Sequence, residues 1–182
     1  MVGAPRRLSS ELLVASDQER FFPPEIAHAV GRITLGASTL EVRIVQAIGI
    51  MLQADDTGTR IMTVDSQFRW LLERCRSLSR ARLSGSTCID VLAWLELAER
   101  ANNERNRVIH AHWYRSVWKD TIGRGGYGAI KLGGASARST KHGLVESRAP
   151  TSAEELDRIA DELERVATQG EDLLSRIRAA FG

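Results

Sequence analysis

The chain has 182 residues, 43% of them hydrophobic and 26% charged, which is enough apolar material for one globular domain with its own core. With a formal net charge of only +2, charge alone decides neither for nor against a nucleic-acid partner. The two cysteines have no zinc-site spacing, no signal-peptide pattern is present, and the longest apolar run, residues 44–52, is too short to cross a bilayer. We therefore expect a cytoplasmic protein without a membrane span.

The N-terminal part predicts a loosely held arm followed by a long helix. Residues 1–20 have only a brief apolar patch and are interpreted as a flexible arm, with residues 21–182 as a single helical domain. After Pro23 and Pro24, apolar residues recur every three or four positions, which predicts a first helix of about 28 residues. Gly31, Gly36 and Gly49 weaken this helix but allow close approach of a neighbour. The repeat consists of Ile26, Val30, Ile33, Ala37, Leu40, Ile44, Ala47 and Met51.

Two further helices are predicted before residue 112. The sequence Asp55-Asp56-Thr57-Gly58 predicts a turn, and a second helix follows with an apolar side and an arginine-lined side. Residues 84–87 break the pattern and offer N-caps for a third helix, from about residue 89 to residue 111.

Residues 113–150 predict an insertion that is not helical throughout, because this stretch is rich in glycine. Residues 113–118 have aromatic and β-branched character and could pair with residues 127–132 across glycines 123–126 as a small β-hairpin. A fourth helix then begins at a capping box, either Thr151 with Glu154 or Ser152 with Glu155. The fold class expected from these elements is all-α, a four-helix bundle with a small β-hairpin or irregular insertion between helices three and four.

The charges are unevenly distributed along the chain. Residues 69–82 hold five arginines against one glutamate, and residues 115–148 are also basic, so both stretches could face a polyanion. The compensating carboxylates lie mostly in residues 149–182, where we expect ordinary pairs one turn apart on a solvated face.

A cluster of polar side chains closes the third predicted helix. Arg105 is followed directly by Asn106, and His110 lies one turn after Asn106 on the same helix face. A second arginine–histidine pair, Arg107 and His112, has the same spacing, but an asparagine directly after the arginine reduces the chance expectation to about 0.01. The pattern therefore favours the register of Arg105, Asn106 and His110.

The pattern Arg105-Asn106-x-x-x-His110 resembles the R-N-x-x-x-H signature of the HEPN superfamily, small helical bundles of which many are metal-independent ribonucleases. The resemblance covers roughly residues 24–180. It implies that two bundles pair so that both motifs share one cleft, in which the 2′-hydroxyl of RNA attacks the adjacent phosphate without a metal. By this resemblance His110 is the general acid and base, Arg105 stabilises the phosphorane charge, and Asn106 orients the phosphate or the histidine.

The same resemblance suggests how the chain meets its partners. Arg107, His112 and Trp113 are candidate substrate-binding residues, Trp113 by stacking on an unpaired base. The expected partners are RNA, a second copy of the chain and, for a toxin-like or defence protein, an antitoxin-like protein that suppresses it.

Two alternatives remain open at this stage, and a third is not expected. Arg105 could form a structural ion pair with Glu104 or with a carboxylate of a neighbouring helix. The chain could also be a non-catalytic, HEPN-like dimeric binding module that keeps Arg105 and His110 as interface groups. A metal site or other cofactor is not expected, because His110 and His112 point apart on a helix and have no carboxylate one turn away.

Overall fold

A computed structural model of the protein describes residues 24–117, 130–140, 143–148 and 152–181. This part is mostly helical, and the predicted arm, residues 1–20, lies outside it. Its five helices are α1 (Pro24–Leu52), α2 (Asp56–Thr63), α3 (Phe68–Arg82), α4 (Gly85–Ile109) and α5 (Ala153–Ala179).

Helix α1 has the extent that the apolar repeat predicts, and its glycines differ in what they contact. A Cβ added at Gly36 would lie 3.0 Å from Cβ of Leu163 in α5, and one at Gly49 would lie 2.5 Å from Oγ1 of Thr59 in α2. Gly31 has no such neighbour within 4 Å. A second helix therefore approaches α1 closely at Gly36 and Gly49 but not at Gly31.

The predicted turn at residues 55–58 is wrong, because helix α2 begins there. The side chain of Asp55 accepts a 2.6 Å hydrogen bond from the backbone N–H of Gly58, which makes Asp55 the N-cap of α2. An aspartate followed by small polar residues fits a turn and an N-cap equally well, and in the structure α2 packs against α1 with Thr59 close to Gly49.

Helices α1 and α5 lie side by side and run in the same direction. Arg32 of α1 is 2.6 Å from Asp161, and further along α1 Arg43 is 3.1 Å from Glu171. These pairs show that the expectation for the acidic C-terminal stretch is wrong in the main. Several carboxylates of α5 pair across helices, and only Glu162 and Arg165 form a local pair among the described residues.

Helix α4 runs antiparallel to α5. Asp90 near the start of α4 is 2.7 Å from Arg176 near the end of α5, and Trp94 donates a 2.8 Å hydrogen bond from Nε1 to the carbonyl oxygen of Val166. Since α1 and α5 are parallel, the last turn of α4 lies at the end of the helical body where α1 and α5 begin. The N-cap of α5 there is Ser152, whose hydroxyl accepts a bond from the N–H of Glu155.

One apolar core joins the long helices. Helix α1 contacts α3, α4 and α5, and α4 contacts both α3 and α5. The residues of α4 that face this core recur at helical spacing: Val91, Trp94, Leu95, Ala98, Ala101 and Val108. Arg105 occupies the position between Ala101 and Val108 at which this repeat would place another apolar side chain.

A small antiparallel sheet follows α4. Its strands are β1 (His112–Val117), β2 (Ile130–Thr140) and β3 (Gly143–Arg148), in the order β1-β2-β3. Arg115 pairs with Leu132 across the first two strands. Strand β3 was not predicted from the sequence. Glycines 123–126 of the predicted hairpin turn lie outside the described residues, so the hairpin itself stays a prediction.

By length and composition, α1 alone among the described helices could cross a membrane, with a mean hydropathy of 1.4 over its most apolar 18-residue window. Core helices of soluble proteins meet the same criterion. Here 39% of that window is buried within the protein, and further apolar residues of α1 are half-buried against the core, among them Ala37, Val45 and Ile50.

Candidate nucleic-acid interface at the end of helix α4

The predicted motif residues lie on the last turn of α4. His110 is the C-cap residue, with φ −95° and ψ 7°, and its backbone N–H donates a 3.1 Å hydrogen bond to the carbonyl oxygen of Asn106. Because residues four apart in a helix share a face, the side chains of Asn106 and His110 leave the helix on the same side. His110 is exposed and Asn106 is half-buried.

Arg105 bends toward this face. Its Nη1 donates a 2.9 Å hydrogen bond to Oδ1 of Asn106, the next residue in the chain. Its Nε is buried and has no hydrogen-bond partner, and the described residues supply no carboxylate for its guanidinium. Arg105 thus keeps its positive charge without an acidic partner in the part of the chain that the structure describes.

Arg105 therefore does not form the structural ion pair with Glu104 that the sequence suggested. Glu104 pairs instead with Arg107, with 2.6 Å between Oε2 and Nη1. Residues three apart in a helix lie side by side, which allows the pair between Glu104 and Arg107.

Arg105 differs in this respect from the other half-buried arginines. Five described arginine residues are intermediate in overall exposure, and four of them have at least one carboxylate within salt-bridge distance. Those four are Arg32, Arg43, Arg76 and Arg107. Arg105 is therefore the exception in this group, because it has no acidic partner among the described residues.

The arrangement brings a cation, an amide and an imidazole to one end of the helical body. Arg105 leaves the helix about 140° away from His110, but its bond to Asn106 draws the guanidinium toward the side on which His110 lies. No hydrogen bond joins the side chains of Arg105 and His110 within the described part of the protein. Because the C-terminal end of a helix disfavours anions, a phosphate bound here would depend on the charge of Arg105 and its neighbours.

The predicted substrate-binding residues are only partly placed. Arg107 shares the last turn of α4 and is tied to Glu104. His112 and Trp113 begin strand β1, so both follow the motif closely, but their side chains lie outside the described part of the protein.

The basic stretch at residues 69–82 has mostly structural contacts. Arg76 pairs with Glu73 and Glu99, and Arg74 bonds the carbonyl oxygen of Met62. Arg82 packs over the ring of Phe181, with 5.5 Å between its Cζ and the ring centroid. Four of the five are exposed and have no carboxylate partner among the described residues: Arg69, Arg74, Arg80 and Arg82. Most of the positive charge of this stretch is therefore not neutralised within the described part of the protein, and a surface for a polyanion stays a prediction.

The remaining chemistry of the described side chains is limited. They include no group of three or more histidine, cysteine, aspartate or glutamate residues placed to hold a metal ion. A groove of about 950 Å³ lies elsewhere, between α1, α2 and the last turn of α5. Sequence reasoning missed this groove, although apolar residues on the side of α1 opposite its core repeat were a signal for it.

Comparison of the chain with family models, with curated proteins and with solved structures found no match.

Proposed function

We propose that this chain is a metal-independent endoribonuclease of the HEPN type, toxin-like or defence-related and acting in the cytoplasm. The observation that carries the proposal is the guanidinium of Arg105, which is half-buried, bonded to Asn106 and without a carboxylate partner among the described residues. An RNA phosphate would supply the missing negative charge. The four long helices around one core are compatible with a HEPN-like four-helix bundle, to which α2 is an addition.

In the proposed reaction the 2′-oxygen of a ribose attacks the adjacent phosphorus, and the bond from phosphorus to the 5′-oxygen of the next nucleotide breaks. A histidine at the position of His110 accepts the proton of the 2′-hydroxyl, and an imidazolium returns a proton to the leaving 5′-oxygen. Arg105 stabilises the extra negative charge on the phosphorane, and Asn106 holds Arg105 in place. The products are a 2′,3′-cyclic phosphate and a 5′-hydroxyl.

The two proton transfers suggest why two copies would take part. A single imidazole must act first as base and then as acid, whereas two motifs facing each other supply both groups at once. In this proposal the α4 ends of two chains meet in one cleft, Arg107, His112 and Trp113 contact the RNA beside it, and an antitoxin-like protein that covers the cleft suppresses cleavage.

A second candidate function is a non-catalytic, dimeric HEPN-like module that binds a partner through the same groups. The observation that favours it is the bond from Arg105 to Asn106 in place of any bond to His110, since the imidazole then has no side-chain partner among the described residues to orient it. Such a module would bind an anionic partner without turning it over.

Incubation of the purified protein with RNA in EDTA distinguishes these candidates. We expect the wild type to cleave and both Arg105→Ala and His110→Ala to lose at least a hundredfold in rate. Arg100→Ala is the matched control, because Arg100 is an exposed arginine of the same helix and lies five residues before Arg105. Full activity in Arg105→Ala and His110→Ala would remove the proposed site, and binding without cleavage by the wild type would favour the module.

A further inference from the structure

Helices α3 and α4 form an antiparallel pair, separated in the chain only by residues 83–84. Near this connection, Sγ of Cys88 donates a 3.4 Å hydrogen bond to the carbonyl oxygen of Ser79. Farther from it, Nη2 of Arg76 donates a 2.5 Å hydrogen bond to Oε2 of Glu99. Contacts that move back along α3 thus move forward along α4, so the first turn of α3 points toward the end of α4 that carries the motif.

The packing of α3 on α1 gives the same direction. Oγ of Ser79, in the last turn of α3, lies 3.7 Å from Sδ of Met51, in the last turn of α1. The motif lies at the opposite end of the helical body, where α1 begins and α4 ends. The first turn of α3 is therefore the part of this helix nearest to the motif.

One flank of α4 faces α3, and Asn106 belongs to this flank. Cys88 and Glu99, which make the two contacts with α3, are three turns apart and project within about 20° of each other. Asn106 follows Glu99 by two turns and again projects within about 20° of it. The hydrogen bond from Arg105 to Asn106 therefore draws the guanidinium of Arg105 toward the side on which α3 lies.

Arg69, in the first turn of α3, continues the face that Arg76 turns toward α4. It precedes Arg76 by two turns and projects within about 20° of it. Two turns rise about 10 Å in either helix, so the step back from Arg76 to Arg69 equals the step forward from Glu99 to Asn106. Helical side chains also tilt toward the N-terminus of their helix, which carries the guanidinium of Arg69 further toward the motif.

The described contacts give no structural reason for an arginine at this position. Arg69 is exposed and has no carboxylate partner among the described residues. The one carboxylate of α3 belongs to Glu73, whose Oε1 instead accepts a 3.2 Å hydrogen bond from Arg76. The first turn is also an unfavourable place for a cation, because the positive end of the helix dipole lies there. An anion at the end of α4 would be attracted by Arg69 and by Arg105 together.

We propose that Arg69 is a second cation of the site at the end of α4 and binds the RNA phosphate next to the one that is cut. The inference rests on the proposed function for its substrate. Arg105 then holds the phosphate at which the bond breaks, and Arg69 reaches its neighbour from the adjacent helix. A contact of this kind fixes the register of the strand and takes no part in proton transfer.

Arg69→Ala tests the inference, with Arg80→Ala as the matched control. Arg80 is an exposed arginine on the same face of α3, also without a carboxylate partner among the described residues, and it lies three turns farther from the motif. On all-ribose RNA in EDTA we expect Arg69→Ala to raise KM about fivefold with kcat unchanged, and Arg80→Ala to change neither. The melting temperature of Arg69→Ala should be unchanged or slightly higher. Equal effects of the two variants, or a loss in kcat alone, would overturn the inference.

Binding of a 2′-O-methyl RNA, which cannot be cleaved through its 2′-oxygen, separates this inference from the proposed function. Fluorescence anisotropy at several salt concentrations gives the slope of log affinity against log salt. We expect Arg69→Ala to reduce the magnitude of this slope by about 0.7, the value for one phosphate contact on a single strand, and Arg80→Ala to leave it unchanged.

The two experiments together have distinct outcomes. If the wild type cleaves RNA and the slope is the same in Arg69→Ala, the proposed function stands and the role of Arg69 is refuted. If binding depends on Arg69 but the wild type does not cleave, the nuclease is refuted and Arg69 is still a phosphate contact. A wild type that neither binds nor cleaves RNA overturns both.

Discussion

Nη1 of Arg105 lies 2.9 Å from Oδ1 of Asn106, so the arginine that interrupts the core repeat of α4 is held by a neutral amide and not by a carboxylate. An amide positions the guanidinium and leaves its charge available. The pair therefore predicts distinct effects for changes at each residue.

Asn106→Asp should silence the site by pairing the guanidinium internally. The new carboxylate would occupy the position of Oδ1 beside Arg105, and the resulting ion pair competes with an RNA phosphate. We expect RNA binding and cleavage to fall at least tenfold while thermal stability is unchanged or slightly higher. Asn103→Asp is the control, because Asn103 is exposed on the same helix and the change adds the same charge away from Arg105. Equal losses in both variants would show that net charge, not the pairing of Arg105, matters.

Arg105→Met should lose RNA cleavage but keep or slightly increase the stability of the fold. Methionine continues the apolar repeat between Ala101 and Val108 and removes the buried, unpartnered Nε, so we expect the free energy of unfolding to be unchanged or about 1 kcal/mol higher. Arg76→Met should have the opposite sign, because it deprives Glu99 of a 2.5 Å ion pair. Urea denaturation of both variants measures the difference, and clear destabilisation by Arg105→Met would indicate a structural role for the arginine.

Gly170→Ala should destabilise the protein. A Cβ at Gly170 would lie 2.6 Å from Cζ2 of Trp94, a buried ring fixed by its hydrogen bond to Val166, so we expect a loss of about 1–3 kcal/mol in the free energy of unfolding. Gly31→Ala is the matched control in a helix with open space around the glycine, and it should gain up to about 1 kcal/mol from helix propensity. If thermal melting gave both variants the same sign, the packing of α4 on α5 at Trp94 would have to be revised.

Alkaline solution should weaken the fold through Cys75. Burial raises the pKa of its thiol from 9.0 to about 12, so between these pH values the unfolded chain loses a proton that the folded chain keeps. The free energy of unfolding therefore falls as the pH rises above 9, by about 1 kcal/mol per pH unit from this group. Denaturation at pH 8 and pH 10 should show a difference between the wild type and Cys75→Ala that shrinks at the higher pH. A stability difference between the two proteins that does not change with pH would show that the Cys75 thiol does not cause the alkaline destabilisation.

Helix periodicity predicted the long helices well because their buried faces are regular. The buried residues of two repeats, the one from Ile26 to Met51 and the one that ends at Val108, pack together in one core. Asp55 was misread because an N-cap and a turn use the same residue types, and a local pattern does not show that α2 packs against α1, with Thr59 close to Gly49.

The candidate site was predicted as a set of residues but not as an arrangement. Spacing along the helix put Asn106 and His110 on one face, yet it could not show that Glu104 would pair with Arg107 and leave Arg105 to Asn106. The choice among partners depends on rotamers and on neighbouring helices. For the same reason the charge count of α3 could not show that Arg76 pairs with Glu99, or that Arg74 and Arg82 contact Met62 and Phe181.

Cleavage at a single linkage in EDTA tests the proposed nuclease activity. A chimeric RNA with one 2′-deoxyribose at a mapped cleavage position is compared with the all-ribose strand, using the wild type and His110→Ala. We expect cleavage by the wild type to a 2′,3′-cyclic phosphate, with no cleavage at the deoxy position and at least a hundredfold slower reaction in His110→Ala. Cleavage at the deoxy position, or full activity in His110→Ala, would overturn the proposed function.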